Sequence, residues 1–270
     1  MSWFFAYSTV PVLRVTGSDA QTYLQSQCTA DLRRPGPQEV LWLNRKGRIL
    51  AQTTLFPEAD GSWLVTCTHL TSPALQELVL ANVIADDVEV SDETVAWQCG
   101  ILWGQPSAPA VAGIKLCATP RWGVSAWEVL APLGWVMPWT QAKVSELAAM
   151  RIQHGVPQVP MDAGAQDFPQ EAGLDALVSY TKGCYLGQEV MARIHAMGSL
   201  RRVLRRIQAE GVLQAGTPLI QGDKTVGEVR SVFGQQGLAM VSVACAEGTV
   251  LTATGGPVTL GVAARYELLG

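Results

Sequence analysis

Histidine is scarce in this chain: three occur in 270 residues, at positions 69, 154 and 195. The six cysteines, Cys28, Cys67, Cys99, Cys117, Cys184 and Cys245, include no Cys-x-x-Cys pair. Zinc-site spacing and a small disulfide framework are thereby excluded, and no tightly bound metal is expected. Charged side chains make up only 16% of the residues, too few for a disordered chain or a long coiled coil. The balance of 19 basic and 23 acidic groups argues against a wholesale nucleic-acid-binding surface, so any RNA contact must be local. No apolar run reaches the roughly 18 residues of a membrane span. The opening Met-Ser-Trp-Phe-Phe has no basic residue before Arg14 and no small-residue cleavage site. The expectation is a cytoplasmic monomer with reduced thiols and no membrane partner.

What is present is material for a core: 48% hydrophobic residues with 26 Gly, 15 Pro and 9 Trp. The length allows one large domain or two to three small ones without a stabilising staple. Thr9 to Val15 reads as a strand. Gly17-Ser18-Asp19 opens a helix through Gln27, with Ser18 as N-cap. Val40 to Leu43, the Asn44-Arg45-Lys46-Gly47 turn and Arg48 to Phe56 read as a hairpin. Trp63 to Thr68 adds a strand, Ser72-Pro73 starts a second helix, and Val88 to Val90 returns as a strand. This alternation predicts a ferredoxin-like module.

Three further strands are expected at 95–102, 113–117 and 126–130, with the Gly/Pro-rich stretch 104–109 separating the first two. A helix then runs through Gln153 and stops at Gly155. From Arg201 onward, short strands and tight turns predict a small β-barrel. The fold class is α+β, with expected modules at 1–92, 93–198 and 199–270.

The most informative stretch is Tyr180-Thr-Lys-Gly-Cys-Tyr-Leu-Gly-Gln-Glu-Val-Met-Ala-Arg193. Gly183 and Gly187 bracket Cys184 in a turn, and a short helix is expected over 186–194. A thiol near a helix N-terminus and the Lys182 ammonium should form thiolate more readily than a free cysteine. The competing reading is a small buried hydrophobe, the usual fate of an intracellular cysteine. Glu189 and Arg193 stand one helical turn apart, as an exposed ion pair or as supports of the cysteine loop. A triad of Cys184, His195 and Asp167 or Asp175 lacks a scaffold to assemble it. Met191 and Met197 read as packing residues, and His69 and His154 as ordinary structural or surface groups. Five arginines, Arg193, Arg201, Arg202, Arg205 and Arg206, suit either an anionic ligand or a solvated edge.

The run K-G-C-Y-x-G-Q-E followed by Arg193 resembles the signature of the YgfZ family, folate-binding relatives of the glycine-cleavage T-protein (GcvT). Gly17 to Ala20, Lys46-Gly47-Arg48, Arg151-Ile152 with Gly155, Pro169-Gln170-Glu171 and Val226 to Val229 agree in order, so the resemblance spans nearly the whole chain. It implies GcvT-type ferredoxin-like modules around a central folate pocket, then the barrel. It further implies a cytoplasmic role in iron-sulfur protein maturation that affects tRNA modification indirectly. Partners would be a reduced folate such as tetrahydrofolate and iron-sulfur proteins or their assembly factors. On this resemblance Cys184 is the functional thiol, supported by Lys182, Gly183, Tyr185, Gly187, Gln188, Glu189 and Arg193, and Gln153 and Arg193 are candidate folate contacts. The chain departs from the T-protein pattern where acidic residues serve aminomethyl transfer: Ala51-Gln52 has none, and Gln153 stands where glutamate is common. A non-enzymatic or weakly enzymatic factor is therefore expected, the alternative being a folate-dependent one-carbon transferase.

Overall fold

A computed structural model describes residues 3–104 and 111–266, so all of the 104–109 separator except Gly104 lies outside the described residues. The chain opens with β1 (Trp3–Ala6), β2 (Val12–Thr16) and α1 (Ala20–Gln27). β3 (Gln38–Leu43), β4 (Ile49–Pro57), β5 (Trp63–Thr66), α2 (Ser72–Leu80) and β6 (Glu89–Asp92) complete a sheet in the order β3-β4-β5-β2-β6, with every pair antiparallel. Ser18 is not the cap of α1. Its N–H and hydroxyl both donate to the Asp87 carboxylate, at 2.9 and 2.8 Å, and Asp19 takes the N-cap position.

This sheet is covered on both faces, which explains its nearly continuous apolar strands. Val40, Trp42, Ala51, Leu55 and Val65 pack under Tyr23 and Leu24 of α1 and Leu75 and Val79 of α2. On the opposite side Val12, Phe56 and Leu64 meet Cys99, Cys117 and Leu130 of the second sheet.

The second sheet comprises β7 (Trp97–Trp103), β8 (Lys115–Thr119), β9 (Ala126–Pro132) and β10 (Thr140–Gln141), in the order β10-β1-β7-β9-β8. β1 pairs antiparallel with β7 and parallel with β10. The expected module division at residue 92 is thus crossed by the first strand of the chain. α3 (Val144–His154) follows and ends at Gly155, whose left-handed φ of 72° makes it the C-cap. A long segment without strands, containing the turn Asp175–Leu177, then leads to α4 (Gln188–Met197).

β11 (Arg202–Ala209), β12 (Pro218–Gln221), β13 (Lys224–Phe233), β14 (Gln236–Ser242), β15 (Val250–Ala253) and β16 (Gly256–Ala263) form a closed barrel in the order β11-β14-β13-β12-β15-β16. Closure removes the sheet edges. Ile152 of α3 packs with Leu204, Leu238, Met240 and Ala264, fixing the barrel to the second sheet. Among the described residues no helix is long and apolar enough to cross a membrane.

Candidate functional site

The Cys184 loop is seated by alternation in β3. Val40 and Trp42 face the first core, while Leu41 and Leu43 face the other way, onto Val178, Tyr185 and Met191 of the motif segment. Hydrogen bonds then fix the loop to the end of α1. Ser179 N donates to Thr29 O at 2.9 Å, Leu186 N to Ser26 O at 3.0 Å, and the Thr29 hydroxyl to Leu177 O at 2.7 Å.

The Lys182 side chain is only 4% exposed, and its ammonium donates to the carbonyls of Cys28 at 2.8 Å and Ala30 at 2.5 Å. Burial lowers the pKa of that ammonium. Lys182 is therefore a clamp between the motif loop and the α1–β3 connection, not a charge beside the Cys184 sulfur. That connection carries Cys28, the C-cap of α1, whose thiol is pushed up to about 11 by burial.

Cys184 itself is exposed, whereas the other five cysteines are buried. The packing alternative for this residue is overturned by that exposure. The helix begins at Gln188 instead of Leu186, with Gly187 as N-cap, so the sulfur lies outside the first helical turn where the dipole acts. The two flanking glycines differ in kind. Gly187 has φ of 85°, and a Cβ there would lie 2.9 Å from Asn44 O. Gly183 has ordinary backbone and open space around it. Tyr185 is buried with its hydroxyl unpartnered among the described residues, and burial pushes its pKa to about 12. Glu189 and Arg193 are both exposed and form no ion pair with each other.

The triad does not assemble. His195 stacks on the Tyr180 ring at 3.9 Å between centroids, and Asp167 pairs with Arg202 and Arg230. Tyr180 donates to Asp175, holding the stack against the turn. Met191 is buried as expected, but Met197 is 67% exposed at the last residue of α4. The arginine cluster disperses: Arg202 reaches Glu171 at 2.9 Å, Arg205 donates to Gly261 O at 3.1 Å, and Arg193 and Arg201 point into solvent. Gln153 is exposed at the end of α3, on a different helix from Arg193, and the two are not brought to one cavity. No cluster of potential metal ligands occurs among the described residues.

A second constellation was not anticipated from the sequence. Where the two sheets and the barrel meet, Arg121 is 4% exposed and its guanidinium reaches Glu39 Oε1 at 2.6 Å and Glu128 Oε1 at 2.8 Å. Tyr7 donates to Glu128 at 3.2 Å, Tyr266 donates to Glu39, and Gln52 Nε2 donates to Tyr266 Oη at 3.0 Å. Burial, with the neighbouring Glu39 charge, pushes the Glu128 carboxyl up to about 7 against the pull of Arg121. The available signal was a lone acid inside each of two apolar strands, Glu39 in β3 and Glu128 in β9, since a buried charge requires a partner. Beside this junction lies a cleft of about 700 Å³ lined by Pro120, Val124, Val156 and Val262 with Ser125 and His154.

Comparisons with known proteins agree with this architecture. Residues 201–265 match the family model described as CAF17, C-terminal beta-barrel domain. The chain is 26% identical over 238 residues to the tRNA-modifying protein YgfZ of Vibrio vulnificus (strain CMCP6), covering 80% of this chain and 73% of that one. It is 28% identical over 274 residues to the human mitochondrial iron-sulfur cluster assembly factor IBA57, covering 85% and 74%. This chain is similar to the YgfZ and IBA57 proteins over most of its length. The glycine cleavage system aminomethyltransferase T from Bartonella henselae superposes with a TM-score of 0.80 at 16% identity, over 98% of this chain and 87% of that one. The likeness establishes a GcvT-like fold ending in the closed barrel.

The resemblance to the YgfZ family implies a folate, and the cleft beside the junction can be compared with what such a ligand needs. The cleft is of the size that takes a small-molecule cofactor, about 300 to 1,000 Å³. Its walls combine apolar side chains with the Ser125 hydroxyl, the His154 imidazole and Arg265.

Proposed function

We propose that this chain is a folate-binding maturation factor for iron-sulfur proteins, that its support of iron-sulfur-dependent tRNA modification is indirect, and that Cys184 is its functional thiol. The observation that carries this reading is the contrast among thiols: one exposed cysteine on a loop clamped at both ends, against five buried ones. A rigid loop presents its sulfur at low entropic cost to a cluster-bearing partner, which is the substrate here. The names of the YgfZ and IBA57 relatives support the same direction.

Folate would be held in the cleft at the module junction, between Pro120, Val124, Val156 and Val262, with Ser125 and His154 orienting it. When bound, a reduced folate supplies a carrier of one-carbon units. This chain offers no acid at 51–52 to handle a proton during transfer. Ala51 faces the core and the Gln52 amide is engaged by Tyr266, which supports a maturation role over a transferase.

Complementation tests the thiol. In a deletion strain, Cys184→Ser should fold yet fail to restore iron-sulfur-dependent enzymes, and Cys184 should alkylate faster at neutral pH than the buried five. Full complementation by Cys184→Ser would remove the role assigned to it. Tetrahydrofolate at a hundredfold excess over its Kd should add about 2.7 kcal/mol of stability. No stabilisation by any reduced folate would sink the ligand assignment, and glycine-cleavage activity within about tenfold of a true T-protein would restore the transferase reading.

A further inference from the structure

A groove of about 590 Å³ lies between the β3–β4 turn, the segment around Phe168 and the link from α4 into the barrel. It shares no lining residue with the 700 Å³ cleft beside the junction. Its charged walls are Arg48, Arg201, Arg202 and Glu171.

The geometry points to a binding site for an organic phosphate monoester in this groove, with Arg48, Arg201 and Arg202 as its recognition groups. The site goes beyond the folate and thiol readings and rests on neither.

The first observation is that two guanidinia are forced together. Glu171, 4% exposed, accepts from Arg48 Nη1 at 3.3 Å and Arg202 Nη2 at 2.9 Å on the same oxygen, Oε2. Gln166 O likewise accepts from Arg48 Nη1 at 2.8 Å and Arg202 Nη2 at 2.9 Å. One arginine is enough to balance a buried carboxylate, so the second leaves a like charge beside the first. Asp167 does not remove this surplus, because it is shared between Arg202 and Arg230 at 3.2 and 3.4 Å. Glu228 reaches Arg230 alone among the described residues, at 3.8 Å and from solvent.

The second observation is unspent donors. Glu171 is already saturated, since Phe168 N donates to Oε2 at 3.0 Å and Arg202 Nε to Oε1 at 3.4 Å. Arg48 Nε and Nη2, Arg202 Nη1 and the Arg201 guanidinium have no acceptor among the described residues. The Arg48 guanidinium lies 3.5 Å from the Phe168 ring centroid, a stack that holds the fork while leaving its in-plane N–H groups for a ligand.

The third observation is charge and shape. The three groove arginines exceed Glu171 by two charges. A phosphate monoester carries about −1.5 to −2 at pH 7 and three acceptor oxygens, whereas a single carboxylate or a backbone phosphodiester carries one charge. The nearby C-terminus of α4 adds only about half a negative charge, too little to cancel the surplus. Ser199 offers a further hydroxyl donor, and half-buried Ile194 and Leu200 give the organic group an apolar wall. The volume falls within the range of about 300 to 1,000 Å³ for small-molecule sites.

Calorimetry on the full chain with adenosine 5′-monophosphate, adenosine and inorganic phosphate tests the site. The monophosphate should bind, inorganic phosphate should compete with it, and adenosine should bind at least about tenfold more weakly. Arg201→Gln, at an exposed residue without an ion pair among the described residues, should weaken the monophosphate about tenfold, and Arg48→Gln should weaken it further. Arg34→Gln, exposed on the α1–β3 connection, should leave the affinity unchanged. Should Arg48→Gln not fold, the contrast between Arg201→Gln and Arg34→Gln decides. Equal weakening by those two would reduce the binding to general cationic attraction and overturn the site. Absence of binding by the monophosphate and inorganic phosphate up to about 10 mM, in a folded sample, would overturn it as well. A single-stranded RNA with a 5′-hydroxyl end that displaces the monophosphate at lower concentration would replace the monoester with a phosphodiester chain and sink the assignment.

Discussion

Lys182 and Arg121 are both buried cations that tie distant segments together, and they are satisfied in different ways. Lys182 donates to two carbonyls within one short connection, Cys28 and Ala30. Arg121 faces two carboxylates from different sheets. A carbonyl left without its lysine can rotate toward solvent or a neighbouring N–H, whereas a buried carboxylate left without its arginine keeps its charge problem. The Cys184 loop is thus held by a local, replaceable clamp, and the junction by a network in which no member is dispensable.

That difference predicts unequal costs. Arg121→Met should be the most damaging change, about 3 to 5 kcal/mol by chemical denaturation, because two carboxylates lose their only cation among the described residues. An effect under about 1 kcal/mol would show that the carboxylates are neutral or solvated in the folded protein. The junction should also make stability depend on pH. The folded-state pKa of Glu128 lies near 7, above the ordinary value of 4.5, so its contribution is complete below about pH 4.5 and is lost as pH rises through 7. Between pH 5 and 8 this group should lower stability by at most about 1.4 kcal/mol per pH unit, and Glu128→Gln should remove that slope. Glu39, Arg121, Tyr7 and Tyr266 face the same carboxyl, and a slope that survives Glu128→Gln would show that Glu128 is not its source.

Lys182→Met should cost less, about 1 to 3 kcal/mol, for two carbonyls left unpaired. It should leave the alkylation rate of Cys184 per folded molecule unchanged, since the ammonium is buried and bonded to the Cys28 and Ala30 carbonyls. A large drop in that rate would restore Lys182 as an electrostatic partner of the thiol. The smallest effects separate the two glycines. Gly187→Ala should cost about 1 to 3 kcal/mol from its left-handed φ and the approach to Asn44 O, while Gly183→Ala should stay within about 0.5 kcal/mol. Equal costs at the two positions would mean that Gly183 is constrained by a partner and not by the fold.

Most elements were legible because their signals are local. The hairpin, the Gly155 stop of α3 and the succession of short strands in the barrel depend on turn chemistry and alternation within a few residues. The Ser18 cap failed for a nonlocal reason, since Asp87 from the approach to β6 captures the serine. β1 escaped notice because a four-residue strand carries little periodicity, and its pairing with β7 spans nearly a hundred residues.

The motif marked Cys184 from sequence alone, and with it the flanking Gly187 turn and the buried Tyr185. The sequence could not say where the Lys182 ammonium points, because a long, flexible lysine side chain can reach either the neighbouring thiol or a carbonyl on another element. Burial decided for the carbonyls. The junction is the stronger case: Tyr7, Glu39, Gln52, Arg121, Glu128 and Tyr266 come from six separate stretches of chain, and no spacing rule connects them. Sequence determined the order of strands, the stopping points and the one cysteine set among polar neighbours, since these follow from short-range sterics and hydrogen bonding. Only the packing of two sheets, a barrel and a terminal arm decided which charges are taken from water together, because desolvation is a property of the assembled interior and not of any segment.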